Sequence, residues 1–216
     1  MTLAPASEDL RRWMAEHLDP LDEHEASDSG QIRSDDDLNP GRPRMFGGPL
    51  TPAAVLVALA EREGGLSVIL TRRSETLRKH TGQVALPGGR RDPGESAWQT
   101  AVREAHEEIG LHPSFVSLVG LSTPYRTGTG FLITPVVGFV RPGFTLEPNP
   151  AEVAEIFETP FGFLMDPGNY AEHVRALPSG EERRFYAATH DDRYIWGATA
   201  GVLRALYERL YGAAVA

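Results

Sequence analysis

Three glutamates, Glu104, Glu107 and Glu108, are spaced i, i+3 and i+4 along the chain. A helix turns about 100° per residue, so this spacing would set the three carboxylates on one face. Like charges that close weaken a helix by a few tenths of a kcal/mol per pair. A hard divalent cation with oxygen ligands would offset the repulsion. Arg103 stands where it can pair with Glu107 one turn on or reach back to Glu95. Either pairing fixes acidic side chains rather than touching a substrate. Gly88-Gly89 lets the backbone approach closely or adopt positive φ, so a glycine carbonyl is a further candidate ligand. The plainer interpretation is one more acidic, solvated helix. Against it stands the fixed order in which glycines, Glu95, Arg103 and three glutamates follow one another.

Such a cluster needs a helix, and a surface to hold the helix. The periodicity predicts a helix over residues 94–109, closed by Gly110 as its C′ glycine, with Trp98, Val102, Ala105 and Ile109 turned toward a sheet. Branched apolar runs at 52–59 and 66–71 flank a Glu63-Gly64-Gly65 break and predict paired strands. Further strands are expected at 115–121, 131–140 and 185–189, the second marked by Pro135 as an edge strand or a bulge. Residues 152–165 mix strand and short-helix character. Residues 198–211 form a closing amphipathic helix with Val202, Leu203, Leu206 and Leu210 inward. At the other end, residues 7–18 read as a helix with Ser7 as N-cap and Leu10, Trp13, Met14 and Leu18 at helical spacing. Residues 19–48, rich in Asp, Glu, Ser, Gly and Pro, predict an extended or mobile arm. The expected division is therefore 1–48 for helix and acidic arm, and 49–216 for an α/β sandwich with a mixed sheet.

Bulk properties narrow the possibilities. The 216 residues suffice for one well-buried core, and the 41% hydrophobic and 24% charged fractions are ordinary for a soluble globular chain. No run approaches the roughly 20 apolar residues of a membrane helix, and the first residues lack the pattern of a signal peptide. With 0 Cys, disulfides, thiolate metal sites and cysteine nucleophiles are excluded, and a cytoplasmic location is expected. A formal charge of −9 speaks against a broad nucleic-acid-binding surface but not against a small phosphorylated ligand. Basic residues do concentrate between Arg72 and Arg91, as a solvated face or as a phosphate-binding patch. No phosphate-binding Walker loop, His-Glu-x-x-His zinc site or Gly-x-Ser-x-Gly elbow is present. Asp35-Asp36-Asp37 has the wrong spacing for a calcium loop and reads as a solvated acidic run.

The order Gly89, Glu95, Arg103-Glu104, Glu107-Glu108, Gly110-Leu111 resembles the signature of the Nudix hydrolases without a gap. Ala105 departs from it, standing where most members carry a larger aliphatic residue. The resemblance implies an α/β/α sandwich with a central mixed sheet and a loop-helix-loop catalytic motif. It implies Mg²⁺ or Mn²⁺ held by Glu104 and Glu108, helped by Glu107 and the Gly89 carbonyl. Arg103, Glu107 and Glu108 are then the expected catalytic residues, with the water's proton going to a glutamate or to a residue of a later loop.

The stretch before this box, Arg72-Arg73-Ser74 and then Arg78-Lys79-His80-Thr81-Gly82-Gln83 into Pro87-Gly88-Gly89, resembles the coenzyme A pyrophosphatase branch. The stretches from Thr127 and from Tyr194 to Ala200 resemble it too. Coenzyme A carries a 3′-phosphate beyond its diphosphate, which calls for extra cations and donors. Arg72, Arg73, Arg78, His80 and Gln83 are the candidates. The expected ligand is a small molecule, coenzyme A or a related nucleotide diphosphate, with no nucleic acid or membrane partner and the oligomeric state open. The alternatives are a broader nucleoside diphosphate-X hydrolase, acting on ADP-ribose, dinucleotides or oxidised nucleotides, and a non-catalytic nucleotide-sensing module.

Overall fold

The computed structural model describes residues 8–21, 32–74, 82–177 and 180–212. Its strands are β1 (Arg33–Ser34), β2 (Thr51–Arg62), β3 (Gly65–Arg73), β4 (Val84–Ala85), β5 (Gly88–Arg90), β6 (Val116–Leu121), β7 (Tyr125–Arg126), β8 (Phe131–Val140), β9 (Val153–Pro160), β10 (Ala171–Ala176), β11 (Glu182–His190) and β12 (Arg193–Trp196). Its helices are α1 (Glu8–His17), α2 (Ala97–Ile109), α3 (Phe161–Leu164) and α4 (Ala198–Tyr211). Among the described residues the strands form a nine-stranded mixed sheet and a three-stranded antiparallel sheet, β10-β11-β12. In the larger sheet, β2 runs parallel to β8 and β1 parallel to β7, while β3, β5, β6 and β9 pair antiparallel.

The long strand β2 explains the layering. Successive side chains of a strand point to opposite faces. Ala54, Leu56, Ala58 and Ala60 pack with Ala101, Ala105 and Ile109 of α2. Val57 and Leu59 pack with Val202, Leu203, Leu206 and Leu210 of α4 and with Met14 of α1. One strand thus serves two cores, and helices cover both faces, which is the α/β/α sandwich. The hairpin joining β2 to β3 and the α4 boundaries fall where the sequence places them. No helix among the described residues is long and apolar enough to cross a membrane.

Three local expectations change. Pro135 lies in an interior strand: β8 has β2 on one side and β6 and β7 on the other. On that second side, β7 pairs up to Ile133 and β6 begins at Val136, so the residue without an N–H falls between two partners. Its carbonyl still accepts from the Ser122 N–H. Helix α2 begins at Ala97 rather than at 94. Ser96 and Gln99 cap each other's backbone N–H in a capping box, and Gly110 closes the helix at φ 66°. The face of α2 pressed on the sheet is Ala101, Ala105 and Ile109, with Val102 only half-buried.

The described parts of segment 1–48 are not held away from the sheet. Met14 and Leu18 belong to the core, and β1 pairs with β7. Asp35 to Asp37 are not a solvated run either. Asp35 accepts from the buried Tyr125 hydroxyl at 2.6 Å, Asp36 meets Arg126 at 3.0 Å, and Asp37 takes Arg33 at 2.9 Å and the Ser34 N–H at 3.0 Å. Packing therefore crosses the proposed division at residue 49. The predicted N-cap Ser7 lies outside the described residues.

Candidate active site

Strand β5 fixes the floor of the site. It pairs with β2 so that Gly88 and Gly89 stand opposite Val55 and Ala54. Helix α2 packs across both strands. The glycines are required by space: a Cβ on Gly88 would lie 2.3 Å from the Ala54 carbonyl oxygen, and one on Gly89 would lie 2.5 Å from the Glu104 carboxylate. Bare backbone is therefore the surface that Glu104 faces. Glu108, one turn on, accepts from the Gly88 N–H at 3.1 Å.

Arg103 holds the entrance. Its Nε and Nη2 grip Glu95 at 2.7 and 2.9 Å, Nη1 donates to Glu104 at 2.9 Å and to Glu107 at 3.0 Å, and Nη2 also reaches the Arg90 carbonyl. Both pairings open to it on sequence grounds are made at once. A guanidinium so occupied orients carboxylates and has little left for a substrate. Glu95 also accepts from the Thr100 hydroxyl at 2.7 Å and the Asp92 N–H at 3.2 Å. The Arg103 hydrogen bonds draw its carboxyl down to about 2.

The other two acids behave oppositely. Burial raises the Glu104 carboxyl above its ordinary range, against the pull of Arg103. Burial pushes the Glu108 carboxyl up to about 7, against the Gly88 N–H and the Arg73 charge. Arg73 stands 3.8 Å from Glu108, close enough for charge but too far for a hydrogen bond. Glu107, by contrast, projects into solvent with 54% of its side chain exposed.

The three glutamates thus share a helix but not an environment. Among the described residues no three His, Asp or Glu side chains converge as a ready-made cation cage. What is preformed is two carboxylates on successive turns against glycine backbone. A hard divalent cation that keeps several waters and shares its shell with phosphate oxygens would suit such a set. The buried, under-compensated Glu108 and the Gly89 floor that Glu104 would lose to a Cβ are both consistent with a bound cation.

The upstream candidates divide. Arg73 reaches the site. Arg72, one residue earlier on β3, points away and pairs with Glu155 of β9 at 3.2 Å, beside Arg193. Gln83 accepts the Arg73 N–H on its backbone carbonyl, so it braces the strand that carries Arg73. Arg78 and His80 lie outside the described residues.

One acid at the site has no counterpart in the sequence pattern. Glu152 precedes β9, and its charge raises both Glu104 and Glu108. It arrives there because β9 pairs with β3 and the Ser74 N–H donates to the Glu152 carbonyl at 2.8 Å. Only strand pairing reveals it. It stands about 50 residues along the chain from the helix, too far for periodicity to register.

The NUDIX domain family matches residues 50–178. The chain belongs to the Nudix family. Its Nudix relatives include a protein of Photorhabdus laumondii named "Uncharacterized Nudix hydrolase NudL", 40% identical over 145 residues, covering 67% of this chain and 77% of that one. A NudL of Yersinia enterocolitica is 37% identical over 174 residues, covering 80% and 88%. Among solved structures, the Nudix hydrolase RenU of M. smegmatis superposes with a TM-score of 0.46 at 29% identity, over 57% of this chain and 80% of that chain. As a Nudix hydrolase the chain carries the family's box on β5 and α2, where the geometry above gathers its acids.

Proposed function

We propose that this Nudix hydrolase cleaves the diphosphate of coenzyme A, and of its derivatives, to 3′,5′-ADP and 4′-phosphopantetheine, using Mg²⁺ or Mn²⁺. Water adds to one phosphorus, the bridging oxygen leaves with the other phosphate, and the water's proton passes to a carboxylate of the site. Glu104, Glu108 and the Gly89 carbonyl are the proposed cation ligands, with Glu107 at the exposed rim. When bound, the cation neutralises phosphate oxygens and acidifies water. Arg103 acts by locking Glu95, Glu104 and Glu107 rather than by touching phosphate. Arg73, 3.8 Å from Glu108, would meet a phosphate oxygen. Glu152, opposite the helix, is the later-loop carboxylate available to take a proton. The 0 Cys are in keeping with a cytoplasmic setting.

The observation that carries the hydrolase part is Glu108: a buried carboxyl on the Gly88 N–H, beside Glu104 on the Gly89 floor. The coenzyme A part rests on the resemblance of the stretch running into the box. One observation favours the broader reading of an ADP-ribose or dinucleotide hydrolase. Arg72, a cation expected for the 3′-phosphate, is already taken by Glu155. A product assay separates the two: purified protein with Mg²⁺ or Mn²⁺ is given coenzyme A, ADP-ribose, a diadenosine polyphosphate and 8-oxo-dGTP. Release of 3′,5′-ADP from coenzyme A is the expected result. Intact coenzyme A beside cleaved ADP-ribose would sink the substrate assignment and leave the hydrolase. Nucleotide binding without turnover on any of them would favour a sensing module.

A further inference from the structure

Thr100 has no role in the chemistry above. It lies one turn into α2 with 0% of its surface exposed. A hydroxyl shut away from water must find its partner inside the protein. A threonine within a helix commonly turns its proton to the carbonyl four residues back. Here that carbonyl, of Ser96, lies 3.2 Å from the hydroxyl and already accepts the Thr100 N–H at 3.1 Å. The Glu95 carboxylate is closer, at 2.7 Å. A hydroxyl has one proton, and the shorter, charge-assisted bond takes it.

Glu95 passes that bond on. Its Oε1 accepts from Arg103 Nε at 2.7 Å. Its Oε2 accepts from Arg103 Nη2 at 2.9 Å, from the Thr100 hydroxyl and from the Asp92 N–H at 3.2 Å. The two arginine bonds form a flat fork, which fixes the guanidinium against the carboxylate but lets the pair swing together. Thr100 supplies the shorter of the two remaining bonds that hold Oε2 in place. With the fork set, the third nitrogen, Nη1, is aimed at Glu104 at 2.9 Å and at Glu107 at 3.0 Å. Glu104 in turn lies so close to Gly89 that a Cβ there would come within 2.5 Å of its carboxylate.

The path from the buried hydroxyl to the floor of the site is therefore unbroken, through Thr100, Glu95, Arg103 and Glu104. We propose that Thr100 is a positioning residue, which acts through Glu95 and Arg103 to hold the Glu104 carboxylate against Gly89 as a divalent cation needs it. The rival is a hydroxyl that only stabilises the start of α2. Helix geometry does not require the hydroxyl, because the Ser96 carbonyl keeps the Thr100 N–H, and valine has nearly the same outline. Losing the hydroxyl loosens Glu95 without opening a cavity. Partners that orient a metal ligand in this indirect way typically carry about 10- to 100-fold in metal affinity or activity. The inference rests on the reading of Glu104 as a cation ligand, and it holds whichever diphosphate is the substrate.

The test pairs Thr100→Val, which keeps the shape and loses the hydroxyl, with Thr100→Ser, which keeps the hydroxyl. Mn²⁺ affinity is read by electron paramagnetic resonance, stability by urea unfolding of the cation-free protein, and rates with coenzyme A or ADP-ribose, whichever the wild type cleaves. In Thr100→Val, Mn²⁺ affinity and kcat are each expected to fall roughly 10-fold or more, with KM within about twofold. Thr100→Ser should restore both to within about threefold of wild type. In a Glu95→Gln background Thr100→Val should add little, because the two residues act on one path. Should Thr100→Val not fold, Thr100→Ala takes its place, since it differs from Thr100→Ser by the hydroxyl alone. A folded Thr100→Val that loses stability but keeps its Mn²⁺ affinity would overturn the proposal in favour of the purely structural role. So would a Thr100→Ser no better than its hydroxyl-free partner, or a full multiplicative loss in the Glu95→Gln background. A wild type that binds no Mn²⁺ would overturn the cation reading and this inference with it. A wild type that binds Mn²⁺ no better than Thr100→Val would overturn this inference alone.

Discussion

Two acidic clusters in this chain look alike on paper, Asp35-Asp36-Asp37 and Glu104 with Glu107-Glu108. In the first, each carboxylate has its own partner: Asp35 the Tyr125 hydroxyl, Asp36 Arg126, and Asp37 Arg33 with the Ser34 N–H. The cluster thereby ties segment 33–38 to β7 and the sheet. In the second, one arginine serves Glu95, Glu104 and Glu107, and Glu108 is buried on a single backbone N–H with Arg73 at a distance. Three acids fully paired are structure. Three acids that share one arginine, beside bare glycine backbone, are where the proposed cation would bind.

The most severe break should come from the under-compensated cluster. Glu108→Gln or Glu104→Gln keeps shape and should lower kcat by about 10³-fold or more, with circular dichroism unchanged. Near wild-type turnover in both would refute their ligand role. Next, Gly89→Ala inserts a methyl where the Glu104 carboxylate lies. It should cost roughly 10- to 100-fold in cation affinity or activity, read by Mn²⁺ titration and steady-state rates.

The aspartate cluster should respond in stability alone. Tyr125→Phe strips Asp35 of its donor and should cost about 1–3 kcal/mol in urea unfolding, with kcat within about twofold of wild type. A large loss of activity there would erase the distinction between the clusters.

The pH response sharpens the same contrast. Burial raises the folded Glu108 carboxyl to about 7 from its ordinary 4.5. Between those values the folded state of the cation-free protein holds more protons than the unfolded state, so its stability should fall as pH rises and level off near 7. Glu108→Gln should flatten that part of the profile. The wild type's affinity for Mg²⁺ should rise over the same window, because only the carboxylate binds. A pH-independent affinity would show that Glu108 is not the group that titrates.

The smallest effect is expected upstream. Arg72→Ala should change KM for coenzyme A by less than about threefold, since Glu155 already holds that guanidinium at the surface. A KM rise of ten times or more would place Arg72 on the substrate after all.

How much of this was legible without coordinates depended on range. The glutamate spacing, the Gly110 terminator, the α4 boundaries and the glycine floor could all be read along the chain. They are local consequences of helix geometry and of backbone room. Which glutamate is buried could not. Spacing set three carboxylates within one helical face, but packing on β2 and β5 rotated α2 so that Ala101 went inward, Glu108 followed it and Glu107 was left in water. Nor could the fate of Arg72, which depended on β9 pairing with β3, or the approach of Glu152 along the same strand. Asp35 looked solvated because its partner, Tyr125, stands 90 residues away. Sequence spacing therefore determined which chemistry the chain carries. Strand pairing and helix rotation, which bring together charges far apart along the chain, determined which of those charges are satisfied and which are left to bind.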